Sequence, residues 1–127
     1  MKAAKMNIVL WVLQVLLAVM FLMAGAMKAF QYERAKAQLK WVGDVSHGLV
    51  TFIGVSELLG GIGLILPALT HILPWLTPLA AVGLAVVMVL AGGFHATRRE
   101  YSNIATNVVL FVLAAFVAYG RFVIAPL

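Results

Sequence analysis

No cysteine occurs in the 127 residues, which removes disulfides, thiolate metal sites, thiol nucleophiles and C-x-x-C redox pairs. Any electron transfer would need a borrowed cofactor. Charge is also scarce: 10% of the residues are charged and 65% hydrophobic, whereas a globular domain carries about a quarter charged. A chain of this composition belongs in a bilayer. Acidic residues are the rarest, four against nine Lys and Arg, for a net charge of +5. The basic residues are scattered over short connections and form no stripe for nucleic acid, so anionic lipid headgroups are the simpler partner. The three histidines show neither H-x-x-x-H nor E-x-x-H spacing, which leaves no dedicated metal site. Met20, Met23, Met27 and Met88 read as gap-fillers, not copper ligands.

Long apolar runs are what the chain does have. Ile8 to Met27 is twenty residues without a charge, about 30 Å of helix, the thickness of the hydrocarbon layer. The same test finds Leu49 to Leu66, interrupted only by Glu57; Ile72 to Phe94, uncharged; and Ile104 to Gly120, with Asn107 inside it. These runs predict helices over about 8–28, 49–66, 72–95 and 104–122. The fold class is all-α: one integral-membrane four-helix bundle over 1–127, antiparallel and up-down, with no independently folded soluble domain. Pro67 is expected to close the second helix, Pro74 and Pro78 to open the third, and Pro126 to lie beyond the fourth. Trp11, Tyr32, Trp41, Trp75, Tyr101 and Tyr119 fall near the span ends, at headgroup level. Lys2 and Lys5 before an apolar run, with Ala24-Gly25-Ala26 after it, imitate a cleavable signal. The run exceeds the ~7–15 residues of a signal core, and cleavage would take a helix from the bundle.

The connection from Lys28 to Gly48 carries Arg34, Lys36 and Lys40 and suits an amphipathic segment on the membrane, with Leu39, Trp41 and Val42 dipping inward. Lys28, Arg34, Lys36, Lys40, Arg98 and Arg99 share one side of the bundle, and Lys2, Lys5 and Arg121 the other. Six against three places both termini outside the cytoplasm by the positive-inside rule, although Lys2, Lys5 and the amino terminus oppose this for the first helix. Arg98 and Arg99 read as headgroup anchors, and His47 and His71 as solvated.

A carboxylate within an apolar span costs roughly 2.5–3.5 kcal/mol, so Glu57 needs a partner or a purpose. Gly54, Glu57 and Gly61 lie at i, i+3 and i+7 on one stripe, which turns Glu57 toward protein and makes this glycine-rich helix central. An antiparallel bundle brings the end of the first helix, the start of the second, the end of the third and the start of the fourth to one side. Lys28, Glu57, His95 and Asn107 come from those four places. By rise per residue, Lys28 and His95 sit near the boundary, Asn107 about 5 Å deeper and Glu57 about 12 Å below the loop. Lys28 can pair with Glu57 through its flexible stem, and His95 can bond either the carboxylate or Asn107. Phe21, Met88 and Phe111 are expected to line the apolar part. Gln14, some 21 Å from Lys28 along its helix, is placed outside this group. Two readings stand side by side: a polar tie between helices, and a pocket that binds a ligand or moves a proton.

These residues carry a resemblance. Ala24-Gly25 with Lys28, the run Glu57-Leu-Leu-Gly-Gly-Ile-Gly-Leu-Ile-Leu-Pro67, Leu79-Ala-Ala-Val-Gly83, His95 with Arg98 and Arg99, Asn107, and Tyr119-Gly-Arg-Phe122 resemble the DoxX-like family of small four-helix bacterial membrane proteins. The likeness spans almost the whole chain. It implies a multi-pass protein of the bacterial inner (cytoplasmic) membrane, with Lys28, Glu57, His95 and Asn107 as the polar residues carried over. The family is named for a subunit associated with a membrane thiosulfate:quinone oxidoreductase, so a quinone and a membrane redox partner are implied. The outline is also similar to eukaryotic membrane proteins that bind or isomerise sterols through buried carboxylates. The leading expectation is a site for the polar end of a small lipophile such as a quinone or isoprenoid. A proton-coupled transporter acting as a homodimer and a scaffold subunit are the rivals. One carboxylate and one imidazole are too few to name an enzymatic reaction.

Overall fold

The computed structural model describes residues 2–127, with side chains from Ala3 onward, so the side chain of Lys2, one of the charges counted above, lies outside the described residues. Helix α1 runs Lys2–Phe30, α2 Tyr32–Gln38, α3 His47–Thr70, α4 Leu76–Thr97 and α5 Tyr101–Tyr119. A 3-10 segment, Lys40–Asp44, follows α2, and a π turn, Gly120–Ile124, continues α5. Four segments, Ala3–Phe30, His47–Thr70, Leu76–Thr97 and Tyr101–Ile124, are long and apolar enough to cross a membrane. The described residues contain no strand, so the all-α expectation is met.

Burial explains how such an apolar chain arranges itself. Large hydrophobic side chains such as Ile8, Leu16, Met23, Leu59, Leu90 and Val109 are exposed, while Gln14, Lys28, Glu57, Thr77, His95, Asn107 and Arg121 are buried. The polar groups face in and the apolar surface faces out. In water that surface would be an extensive contiguous patch; in lipid it is at home, and the polar groups gain by meeting one another.

Helix α1 packs against α3, α3 against α4, and α4 against α5. Helices α1 and α3 approach each other closely through glycine. A Cβ on Gly25 would lie 2.7 Å from the Gly54 carbonyl oxygen, and one on Gly54 would lie 2.6 Å from the Ala29 nitrogen. The two helices therefore touch backbone to backbone, which only glycine permits, and dispersion contacts replace the missing side chains. Further along, Gly61 meets Leu22 and the Ala18 carbonyl, and Gln14 meets Leu64, so the register of α1 runs opposite to that of α3. Between α3 and α4, Gly60 receives Leu84 and Gly63 receives Ala80. The expected stripe is intact, since Gly54, Glu57 and Gly61 are all buried on α3.

Pro67 does not close the second membrane helix, as its position suggests; α3 continues to Thr70 with Pro67 inside it. Proline removes the N–H that would bond the carbonyl four residues earlier, that of Gly63. The Thr77 hydroxyl, buried at the start of α4, donates to that carbonyl at 2.9 Å. The neighbouring helix thus supplies the missing donor, and the break is repaired from outside. His71, with φ 59°, ends α3 in the left-handed region. We expect Thr77→Val to cost about 1–2 kcal/mol by leaving the carbonyl unpaired. In a Pro67→Ala background, where the substituted residue regains a backbone N–H to donate, that cost should fall by more than half; unfolding of the four variants in mixed micelles measures the coupling.

Candidate functional site

The four membrane helices and the 32–46 segment line a cavity of about 490 Å³ that opens laterally past exposed residues such as Phe52 and Leu90. Its walls are mostly apolar, with Phe21 and Met88 among them as expected, and its polar groups are concentrated in Lys28, Glu57, His95, Asn103, Thr106 and Asn107. The four polar residues named from the sequence therefore line one space. Phe111 does not line it. At 37% exposed it points outward, because four residues beyond Asn107 the helix has rotated about 40° past a full turn, enough to carry a side chain off a narrow stripe.

Lys28 Nζ donates to Glu57 Oε1 at 2.7 Å, with 8% and 3% of the two residues exposed. The Gly25–Gly54 approach makes this possible: each residue of the pair sits three positions beyond a contact glycine, so the helices are near enough for a lysine stem to reach. An ion pair satisfies both groups where either alone would be a buried, uncompensated charge.

The 32–46 segment roofs the polar end. Ala35 and Val42 are fully buried with Val50 in a small cluster of their own, so α2 and the 3-10 turn are packed down and not merely tethered. Leu39 and Trp41, expected to dip into the membrane, line the cavity. The Trp41 ring has Lys28 Nζ 5.8 Å from its centroid and lies edge-on to Phe94 and His95. His47, read as solvated, is exposed but stacks on Tyr32 at 3.7 Å.

His95 differs from the expectation that it would bond Glu57 or Asn107. Its Nδ1 lies 2.9 Å from Glu100 Oε1. The cause is local. Helix α4 ends in a Schellman motif: the Glu100 N–H donates to the His95 carbonyl at 3.0 Å and the Arg99 N–H to that of Ala96 at 3.2 Å, with Arg99 left-handed at φ 56°. That turn folds Glu100 back onto His95 before any other helix can compete. Arg98 is likewise more than a headgroup anchor. Its Nη2 donates to Asp44 Oδ2 at 2.7 Å and its Nε to Glu100 Oε1 at 2.8 Å, clamping the roof segment to the α4–α5 turn. The hydrogen bond from His95, then that from Arg98, hold the Glu100 carboxyl below the usual carboxylate range against partial desolvation.

Asn107 is 9% exposed, and its Nδ2 is buried with no hydrogen-bond partner among the described residues. In an apolar span such a donor is costly to leave unmade.

A second polar group, not foreseen as a unit, lies at the other end of α1. The Arg121 Nε donates to Gln14 Oε1 and its Nη1 to Asn7 Oδ1, both at 2.7 Å. Gln14 Nε2 in turn donates to the Leu64 carbonyl at 2.6 Å. Gln14 is outside the cavity, as its distance along the helix requires, yet fully buried. Arg121, counted from the sequence as a loop charge, is 2% exposed. The available signal was that Gln14 and Arg121 are the polar interruptions of the first and last spans on a shared side.

A helical bundle with exposed apolar flanks and polar groups gathered round an internal cavity defines a multi-pass membrane protein. The DoxX-like family model matches residues 12–117, and the chain belongs to that family. No curated protein and no solved structure matches it.

Proposed function

We propose that this protein binds a small lipophile, such as a quinone or an isoprenoid, in the cavity beside the Lys28–Glu57 pair, and that it does so in the bacterial cytoplasmic membrane. One observation carries the reading: a buried ion pair, 2.7 Å long, fronts a cavity of about 490 Å³ whose other walls are largely apolar. That volume lies in the range of small-molecule sites, and the pattern of a greasy chamber with a few convergent polar groups is the usual one for them. Lys28 neutralises Glu57, so the site suits a neutral headgroup better than an ion. The unpartnered Asn107 amide is the kind of donor a quinone carbonyl takes. A bound quinone would supply the electron-transfer chemistry that a chain without cysteine lacks, and this chain would hold its ring, exclude water and present it to a redox partner in the membrane.

The test is mass spectrometry of organic extracts from the purified protein, comparing wild type with Glu57→Gln at matched folding and concentration. A near-stoichiometric lipophile, present in wild type and reduced at least tenfold in the variant, is the expected result. Bulk phospholipid alone in both samples would contradict the reading and favour transport or scaffolding.

A further inference from the structure

The Lys28–Glu57 pair balances its two charges through one contact, and beside it the cavity holds neutral polar groups that can also read a ligand's polar end. Two buried side chains beyond that pair, Asn107 and His95, each leave a nitrogen without a hydrogen-bond partner among the described residues. Asn107, more than nine-tenths buried, turns an unused Nδ2 donor among the lining residues. His95, 6% exposed, commits Nδ1 to Glu100 and makes no hydrogen bond through Nε2 among the described residues. An ionised carboxylate only accepts, so Nδ1 must carry the hydrogen, and in the neutral ring Nε2 is then a bare acceptor. Glu100 is itself fixed by the Schellman turn and by Arg98. The tautomer is therefore set by the end of α4, before any ligand arrives.

We propose that the cavity selects a neutral, ring-sized lipophile carrying a carbonyl-type oxygen and a hydroxyl, Asn107 Nδ2 donating to the oxygen and His95 Nε2 accepting from the hydroxyl, with Glu100 as the residue that positions His95. This rests on the lipophile reading above and narrows it from a quinone or isoprenoid in general to a hydroxyl-bearing one, such as a hydroxyquinone, with an acceptor and a donor on the same head. A purely acceptor head would leave His95 unused, and a purely hydrocarbon one would leave the buried Asn107 Nδ2 without compensation.

The test uses four probes of nearly equal size: 4-hydroxybenzophenone with both groups, benzophenone with the carbonyl alone, 4-benzylphenol with the hydroxyl alone, and diphenylmethane with neither. Binding to the full-length protein in lipid nanodiscs is measured against empty nanodiscs, which removes bulk partitioning. We expect the carbonyl and the hydroxyl each to improve affinity about fivefold in wild type. Asn107→Leu should abolish the carbonyl preference and keep the hydroxyl preference, and His95→Phe should do the reverse. Because Asn107→Leu removes an unpartnered donor, its ligand-free melting temperature should hold or rise, so folding does not confound that arm. Carbonyl discrimination that survives Asn107→Leu overturns the assignment, as does equal binding of all four probes. If a lipophile co-purifies with wild type while the probes are not discriminated, the pocket stands and only this headgroup assignment fails; if none binds above the empty discs and none co-purifies, both fail.

Discussion

Lys28→Met is expected to destabilise the protein by about 3–5 kcal/mol, the range for removing one partner of a buried ion pair and stranding the other. Glu57→Leu should cost a similar amount, since it strands Lys28. The informative variant is the double one. With both charges gone, two apolar side chains occupy the same space between α1 and α3, and Lys28→Met/Glu57→Leu is expected to be as stable as wild type, or more so by a few kcal/mol. Unfolding of the four proteins in mixed micelles gives the coupling. A double variant as unstable as the sum of the singles would mean that the 2.7 Å contact does not neutralise the two groups. The same double variant separates stability from purpose: a well-folded protein that no longer retains a lipophile is the expected outcome if the pair is kept for binding and not for the fold.

Gly54→Val is the second large effect. The Cβ alone would fall 2.6 Å from the Ala29 nitrogen and 2.8 Å from the Gly25 carbonyl oxygen, both backbone atoms that no rotamer change can move. The two longest apolar helices must then separate. Overpacking typically costs 1–3 kcal/mol when side chains can adjust; here they cannot, so a loss of at least about 3 kcal/mol and a sharp fall in folded yield are expected. Gly54→Ala should lie between. The control is Gly93→Ala, where a Cβ meets nothing within 4 Å; it should be neutral or stabilising by up to about 1 kcal/mol, from the lost flexibility of the unfolded chain. Equal effects at Gly54 and Gly93 would show that the α1–α3 approach is not as close as described. Separation would also pull Lys28 from Glu57, so lipophile retention should fail with the fold.

Much of this is legible in the chain. Length and polarity of the apolar runs place four spans within a few residues of their ends, because a bilayer permits few other arrangements of such a backbone. The stripe Gly54, Glu57, Gly61 and the positions of Lys28, His95 and Asn107 along their spans bring those side chains to one end, since rise per residue fixes depth. What the chain misleads on concerns partners. Pro67 reads as a stop when taken alone, and the Thr77 hydroxyl that repairs its break belongs to another helix. Depth alone matches His95 to Glu57 and Asn107, while the actual partner, Glu100, lies in the following turn and reaches back through a left-handed Arg99 that no propensity announces. Phe111, expected in the apolar lining, is outside it, because its place along the span does not say how wide the inward face of the helix is.

The sequence by itself determined the solvent, the number of spans and the position of each polar residue along its span, because hydropathy and helical rise are properties of the chain taken locally. Which polar groups meet was decided by tertiary structure. The Gly25–Gly54 approach sets the distance between Lys28 and Glu57, the Asp44–Arg98 clamp holds Trp41 over the cavity, and Arg121 finds Gln14 across 107 residues. Hydrogen bonds and ion pairs act over about 3 Å, a precision that only the packing of whole helices against one another can supply.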